Sequence, residues 1–314
     1  MKKLLSFCLL LFSVAFFALF NESKRETHSL FYIKNDNLHA IMKNDRSFSV
    51  TSAFYFIEKL PILKSKIDTG EYEIQYGENV FSVINKMFLG KKVIRKLTIP
   101  EGYTVKRIVE VLNSNKFLFG EISGCEIKEG ELSPNTYFYT FGDSKISIIN
   151  KMRNQMAVVR SKYYKQNKTN LSFDEVVILA SIIEKESGNF DEQPLISSVF
   201  HNRLAIGMRL QSDPTVIYAL TDGYGIMERK ITRKDLLFSS PYNTYRNAGL
   251  PPAPICCPGE NAIKAVLNPK ETNYMFFVAK ADHSGHIFAK EYKEHLKNIQ
   301  KVKLATKHNH NISN

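Results

Sequence analysis

The chain runs to 314 residues without a C-x-x-C pair, a glycine-rich phosphate loop or a G-x-S-x-G elbow. No nucleotide-cradling or serine-nucleophile motif therefore offers itself. Cysteine is scarce: Cys8 lies in an apolar run, leaving Cys125, Cys256 and Cys257. An odd number cannot all pair and sequence neighbours rarely bond to each other, so these read as buried or free thiols, with one bond to Cys125 left open. The formal charge is +12, which calls for an anionic partner such as a wall polymer, a lipid headgroup or nucleic acid. The lysines are dispersed, however, and no basic block interleaves with aromatics, so nucleic acid is not expected. His283 and His286 form an H-x-x-H pair in a hairpin turn that no acidic or cysteine cluster completes, so neither metal nor cofactor is expected.

Lys2 and Lys3 precede an uncharged run from Leu4 to Phe20. As a helix this run spans roughly 25 Å, near the lower limit for a bilayer core of about 30 Å. The apolar part of a signal peptide would look similar. Cleavage needs small residues, though, and Ala15 and Ala18 are each followed two places later by phenylalanine. An uncleaved single-pass anchor is expected, with the lysines in the cytoplasm and the rest on the extracytoplasmic (periplasmic) side of the cell (inner) membrane.

The expected fold class is α+β. Residues 1–23 form the tail and transmembrane helix, 24–142 a stalk and a small α+β module, 143–303 a mainly helical catalytic domain with a C-terminal β-hairpin, and 304–314 a disordered tail. The module rests on an internal echo: Glu73, Ile74, Gly77, Val80, Val83, Ile84 and Met87 are matched 25 residues later by Thr98, Ile99, Gly102, Val105, Ile108, Val109 and Leu112. Each copy reads as strand, glycine turn and short helix. A basic helix is expected over 144–165, then helices over 172–187, 194–205, 214–220 and 260–267, strands near 274–279 and 286–289, and a last helix over about 290–302.

The helix from Ser172 carries the strongest chemical signal. Ser172 with Glu175 forms a capping box that fixes its start. At 100° per residue, Val176, Ile182 and Ile183 lie within about 60° of Leu179, and Glu186 falls about 20° from it, on the apolar stripe. Glu184 falls near 140°, so the two glutamates are not a catalytic pair. At pH 7 an ordinary glutamic acid is protonated in only about one molecule in 500, whereas a pKa of ~6.5 would make it about one in four, as a general acid requires. The pattern alone also allows Glu186 to face water in the last turn before Gly188. Asp213-Pro214 reads as a cap followed by proline at the first helical position. Tyr242, Asn243 and Tyr245, among Pro241, Pro251, Pro252 and Pro254, suit either a sugar-binding wall or a set of turns.

The stretches Leu179–Glu186, Ser198–Leu204, Ile206–Tyr218 and Tyr242-Asn-Thr-Tyr245, with Gly249-Leu-Pro-Pro252 and Pro258-Gly259, together resemble the endolytic murein transglycosylase family, MltG or YceG-like. The likeness covers about 172–300 with its motifs in order. The echo is similar to that family's LysM-like module, and Glu129-Gly130, Pro134 and Thr136-Tyr137 to its connecting motif. The sequence departs from the family pattern at Ala253-Pro254 and Cys256-Cys257.

The resemblance implies a peptidoglycan lytic transglycosylase that cuts nascent glycan strands between N-acetylmuramic acid and N-acetylglucosamine, forming a 1,6-anhydro ring. It implies that Glu186 is the catalytic acid and base, that Gln211, Asp213, Tyr242, Asn243 and Tyr245 line the cleft, and that peptidoglycan synthases of the penicillin-binding class are partners. Two rivals stand beside it. One is a hydrolase with a second carboxylate at about 5–9.5 Å, for which Asp213 is the candidate; the other is a non-catalytic wall-binding protein.

Overall fold

The computed structural model describes residues 29–33, 67, 70–75, 78, 80–122, 126–282 and 284–312. The apolar run Leu4–Phe20, Gly77, Cys125 and His283 lie outside them. Among the described residues no helix is long and apolar enough to cross a membrane. The protein is α+β, with eight helices and small two-stranded sheets among the described residues. Its described residues divide into two compact units, one within 1–97, 117–119 and 138–143, the other within 98–116, 120–137 and 144–314.

In the first unit, β1 (Ser29–Ile33) pairs antiparallel with β2 (Gly70–Ile74), Ser29 opposite Ile74 and Ile33 opposite Gly70. Helix α1 (Val80–Phe88) follows, burying Val83 and Met87. Arg95, at the start of β3 (Arg95–Thr98), bonds the Glu71 carboxylate at 2.5 Å and lies over the Phe117 ring at 3.6 Å.

In the second unit a strand, a glycine turn and a helix follow one another. Thr98 ends β3, Gly102 turns at φ 75°, and α2 (Val105–Ser114) buries Ile108 and Leu112, the counterparts of Val83 and Met87. Copy one of the echo thus packs in one unit and copy two in the other. Strand β4 (Thr136–Tyr139) begins where the Thr136 hydroxyl meets that of Thr98 at 2.9 Å.

Helix α4 (Phe173–Glu186) is the axis of the second unit. Ser172 and Glu175 close the capping box in both directions. The helix is buried nearly all round, because Val177, Ala180 and Ser181 join Val176, Leu179, Ile182 and Ile183 in the core. Around it pack α3 (Lys145–Tyr163), α5 (Gln193–Ala205) and α7 (Glu260–Leu267), contributing Val159, Ile196, Phe200, Ile263 and Val266. Each such side chain contributes about 1.5–3 kcal/mol on full burial, so this cluster is what fixes the position of the C-terminal end of α4. Helix α6 (Asp213–Leu220) lies against the same axis. The hairpin of β5 (Phe276–Ala279) and β6 (His286–Ala289) pairs Phe277 with Phe288 and sets the Phe277 ring 5.8 Å from that of Phe200.

Two expected boundaries shift. Strand β5 begins at Phe276 rather than 274, because Tyr274 is held in a turn by its N–H bond to the Thr272 hydroxyl, 3.2 Å. Helix α8 (Tyr292–Ile312) runs past 302, the end expected for the last helix. No proline or glycine follows Lys290 to interrupt it.

Residues 102–103 and 257 tie the second echo copy to the helical core. The Gly102 N–H donates to the Cys257 carbonyl (3.0 Å) and the Cys257 N–H to that of Tyr103 (2.8 Å). Gly130 closes the same seam at φ 79°, where a Cβ would meet Pro254 Cγ at 2.6 Å and Val177 Cγ1 at 2.8 Å. Gly130→Ala should therefore destabilise the protein by about 2–3 kcal/mol through strain and overpacking, lowering Tm by several degrees in a thermal melt. An unchanged Tm would contradict this packing.

Candidate active site

Glu186 is the last residue of α4. The helix end already disfavours negative charge there, since unpaired carbonyls give it a partial negative charge. The side chain is half-buried, enclosed by protein while keeping some contact with solvent. Burial, reinforced by the nearby Asp213 charge, raises its pKa to about 7; the Ser212 hydroxyl and the Arg203 guanidinium oppose the rise. At neutral pH about half of the molecules thus hold the proton, the poise a group needs to give and then take one.

The hydroxyl that meets Glu186 is placed by a network. Ser212 Oγ donates to Glu186 Oε1 at 2.5 Å. Its backbone N–H donates to Thr244 Oγ1 (3.0 Å), and its carbonyl accepts from Thr215 Oγ1 (2.7 Å). Thr215 Oγ1 and Thr244 Oγ1 lie 2.9 Å apart. With the Thr215 proton committed to the Ser212 carbonyl, Thr244 is the donor between them. One residue earlier, Gln211 takes the left-handed conformation at φ 52°, and its N–H donates to the Thr244 carbonyl, 3.2 Å. A non-glycine there costs on the order of 1 kcal/mol, which the surrounding bonds offset.

Arg203, from α5, anchors the other end of this strap. It is 6% exposed, and its Nε donates to the Met275 carbonyl (2.7 Å) and its Nη1 to that of Leu210 (2.5 Å). Burial lowers its pKa, while Glu186 and Tyr245 hold the charge in place. A buried cation is tolerated when its donors are satisfied and a counter-charge is near.

The other residues singled out from the sequence fall as follows. Gln211 is exposed. Asp213 does not cap α6 as expected: the cap position is Ser212, and Asp213 Oδ1 accepts instead from the Tyr245 hydroxyl at 2.6 Å. The tyrosine hydroxyl competes successfully because it reaches the carboxylate from a loop already fixed by Asn243. Tyr242 is half-buried with its ring 5.0 Å from that of Tyr218. Asn243 is fully buried, its amide donating to the Leu236 and Phe238 carbonyls (3.0 and 2.7 Å) and accepting from the Tyr245 N–H (2.9 Å). It works by folding the loop.

Glu184 points away from Glu186, accepting from the Gly259 N–H at 2.9 Å and so capping α7. Burial raises its pKa to about 7 as well, with Glu101 adding to the rise. Sequence reasoning missed a third such acid, Glu129. It receives the Val105 N–H at 3.0 Å and the Tyr218 hydroxyl at 3.4 Å, and burial raises its pKa to about 7. Cys256 and Cys257 are buried free thiols whose pKa burial pushes up, so neither is a nucleophile. His286 pairs its Nδ1 with Glu192 at 2.9 Å; burial of Glu192 works against its charge, but the His286 ring and backbone N–H keep its pKa below the usual value.

A proton-poised carboxyl on a rigid helix end, with one fixed hydroxyl donor and a tyrosine–aspartate pair beside it, is an arrangement suited to acid–base chemistry. The chain matches the YceG-like family over residues 34–301 and belongs to it. It is 30% identical over 294 residues to an endolytic murein transglycosylase of Bacillus subtilis (strain 168), covering 83% of this chain and 80% of that protein. An endolytic murein transglycosylase of Streptococcus pneumoniae serotype 2 (strain D39) is 28% identical over 276 residues, 74% of this chain and 50% of that protein, so the chain spans about half that relative's length. The crystal structure of a putative yceG-like protein from Listeria monocytogenes aligns with a TM-score of 0.54 at 30% identity, covering 87% of this chain and 99% of that one.

Two outcomes follow from the electrostatics. The Ser212 hydroxyl favours ionised Glu186, so Ser212→Ala should raise the Glu186 pKa above about 7, by on the order of one unit, in a carboxyl-carbon NMR titration. An unchanged or lower midpoint would mean the bond is not made. Glu186 also titrates near 7 when folded against 4.5 for the ordinary group. Between those values the folded state binds more protons than the unfolded one, so stability is full below about 4.5 and falls as pH rises to about 7. Glu186→Gln removes this loss, and its Tm relative to wild type should rise by a few degrees from pH 5 to pH 8. A difference in Tm independent of pH would contradict the shifted pKa.

Proposed function

We propose that this chain is a membrane-anchored peptidoglycan lytic transglycosylase that cuts nascent glycan strands internally. The observation that carries the reading is the environment of Glu186: an acid poised near neutrality at a helix end, contacting a fixed hydroxyl donor, on a scaffold shared with relatives named endolytic murein transglycosylase. Protonated Glu186 gives its proton to the oxygen linking muramyl C1 to the next sugar, and that C1–O bond breaks. The muramyl 6-hydroxyl then attacks C1, closing a 1,6-anhydro ring, and its proton returns to Glu186. No water is consumed and the acid is regenerated. The positive charge of Arg203 and the Ser212 hydroxyl stabilise the carboxylate that exists between the two transfers.

The apolar run Leu4–Phe20 serves as a single-pass anchor and holds the catalytic unit on the extracytoplasmic side, where new strands emerge beside the synthases of the penicillin-binding class. The LysM-like echo serves glycan binding or spacing from the membrane. Gln211, Tyr242 and Tyr245 contact the sugar chain and Asp213 orients Tyr245. The proximity of the Asp213 charge to Glu186 favours one competing reading, hydrolysis by two carboxylates.

Mass spectrometry of products from nascent strands separates these readings. Wild type should yield 1,6-anhydromuramyl ends, and Glu186→Gln should lower the rate by about 100- to 10,000-fold with folding intact. Free reducing ends would establish the hydrolase, and binding without cleavage a wall-binding protein.

A further inference from the structure

Most arginines of the second unit are already committed. Arg153 pairs with Glu131 and Arg229 with Asp235, Arg107 and Arg160 lie over the Tyr103 and Phe173 rings, and Arg203 is buried. Arg209, Arg233 and Arg246 differ: all three are exposed, and among the described residues none has a carboxylate partner. Of these, Arg209 and Arg246 are held in place. Arg209 Nη1 donates to the Tyr245 carbonyl at 3.1 Å, and Arg246 Nη1 to the Leu237 carbonyl at 2.8 Å. The Arg209 guanidinium therefore sits on the peptide link that joins Tyr245 to Arg246.

This position is close to the chemistry. Arg209 stands on the strap three residues before Ser212, whose hydroxyl meets Glu186, and Tyr245, whose carbonyl it holds, bonds Asp213 through its own hydroxyl. Each guanidinium spends one N–H on a carbonyl and keeps four for an anion in a fork that matches a carboxylate. Anchoring removes much of the side-chain entropy that binding would otherwise cost.

We infer that Arg209 and Arg246 form a carboxylate-reading subsite beside Glu186, and that it sets the register in which a glycan strand is cut. The inference rests on the glycan-cleaving function proposed above. In such a strand the two sugars alternate, and only the muramyl residue carries a lactyl arm with a carboxyl group. That group is a free carboxylate on a stripped strand; on a substituted strand it is amide-linked to a peptide bearing further carboxylates. Either anion marks the muramyl sugar, the one whose 6-hydroxyl and C1 must meet Glu186. N-acetylglucosamine carries no charge and gives the arginines nothing to hold.

The test is a binding measurement on the full chain in detergent micelles, carrying Glu186→Gln so that ligands survive. Three oligosaccharides of equal length serve as probes: a strand with stem peptides, the same strand stripped of peptides, and an all-N-acetylglucosamine oligomer. At least one anionic strand should bind about tenfold or more tightly than the neutral oligomer, as charge-assisted bonds to a carboxylate imply. Arg209→Gln with Arg246→Gln should remove that preference and leave affinity for the neutral oligomer unchanged, which also reports an intact fold. Preference for the peptide-bearing strand alone assigns the subsite to stem carboxylates, preference for the stripped strand alone assigns it to the lactyl carboxylate, and equal preference for both means that it takes either anion. Equal binding of all three probes, or a preference that survives the double replacement, overturns the inference. Failure of the underlying function shows separately, as absence of 1,6-anhydro ends from the chain with Glu186 intact.

Discussion

Ionising a carboxyl at the end of a helix that is buried nearly all round is unfavourable, and the region around Glu186 is organised by that fact. Desolvation and the nearby Asp213 charge push the proton affinity up; the Ser212 hydroxyl and the buried Arg203 charge pull it back. The balance near neutrality needs both sides. Without the apolar packing of Leu179, Ile182 and Ile183 the acid would be ordinary, and without Ser212 it would hold its proton too firmly. The hydrophobic core of the second unit therefore has a chemical role: its tight packing sets the environment in which Glu186 titrates.

How much of this the sequence discloses depends on the range of the interaction. Features fixed by neighbours three or four residues apart were legible. The Ser172–Glu175 capping box, the apolar stripe of α4 and the helix Glu260–Leu267 fall where local pattern places them. The helical wheel also separates Glu184 from Glu186, and the two carboxyls do go to different partners, the Gly259 N–H and the Ser212 hydroxyl. Features made by residues far apart in the chain were not. Asp213-Pro214 reads as a helix cap with proline after it, and nothing local says that the hydroxyl of the serine before them meets a glutamate 26 residues upstream. Arg203 looks like a surface arginine at a helix end until two distant carbonyls enclose it.

Glu129 makes the same point from the other side. It lies in a stretch with no periodicity to mark it as buried, yet it caps α2 and meets Tyr218, 89 residues away. The 25-residue echo is also only half readable. Two of its apolar positions are buried in both copies, Val83 and Met87 and again Ile108 and Leu112, but the copies belong to different compact units. Internal similarity reports a shared local solution to burying one helix face. It does not report which neighbour supplies the other side.

Arg203 joins two carbonyls, Met275 at the foot of the C-terminal hairpin and Leu210 at the start of the strap that presents Ser212. A guanidinium is flat and stiff, so it fixes the separation of the two segments as a spacer would. The strap has no slack of its own: if the hairpin shifts, the strap follows or a buried carbonyl loses its donor, at about 1–3 kcal/mol. The hairpin, none of whose described residues bonds Glu186, thereby becomes part of the frame that keeps a hydroxyl in register with the acid.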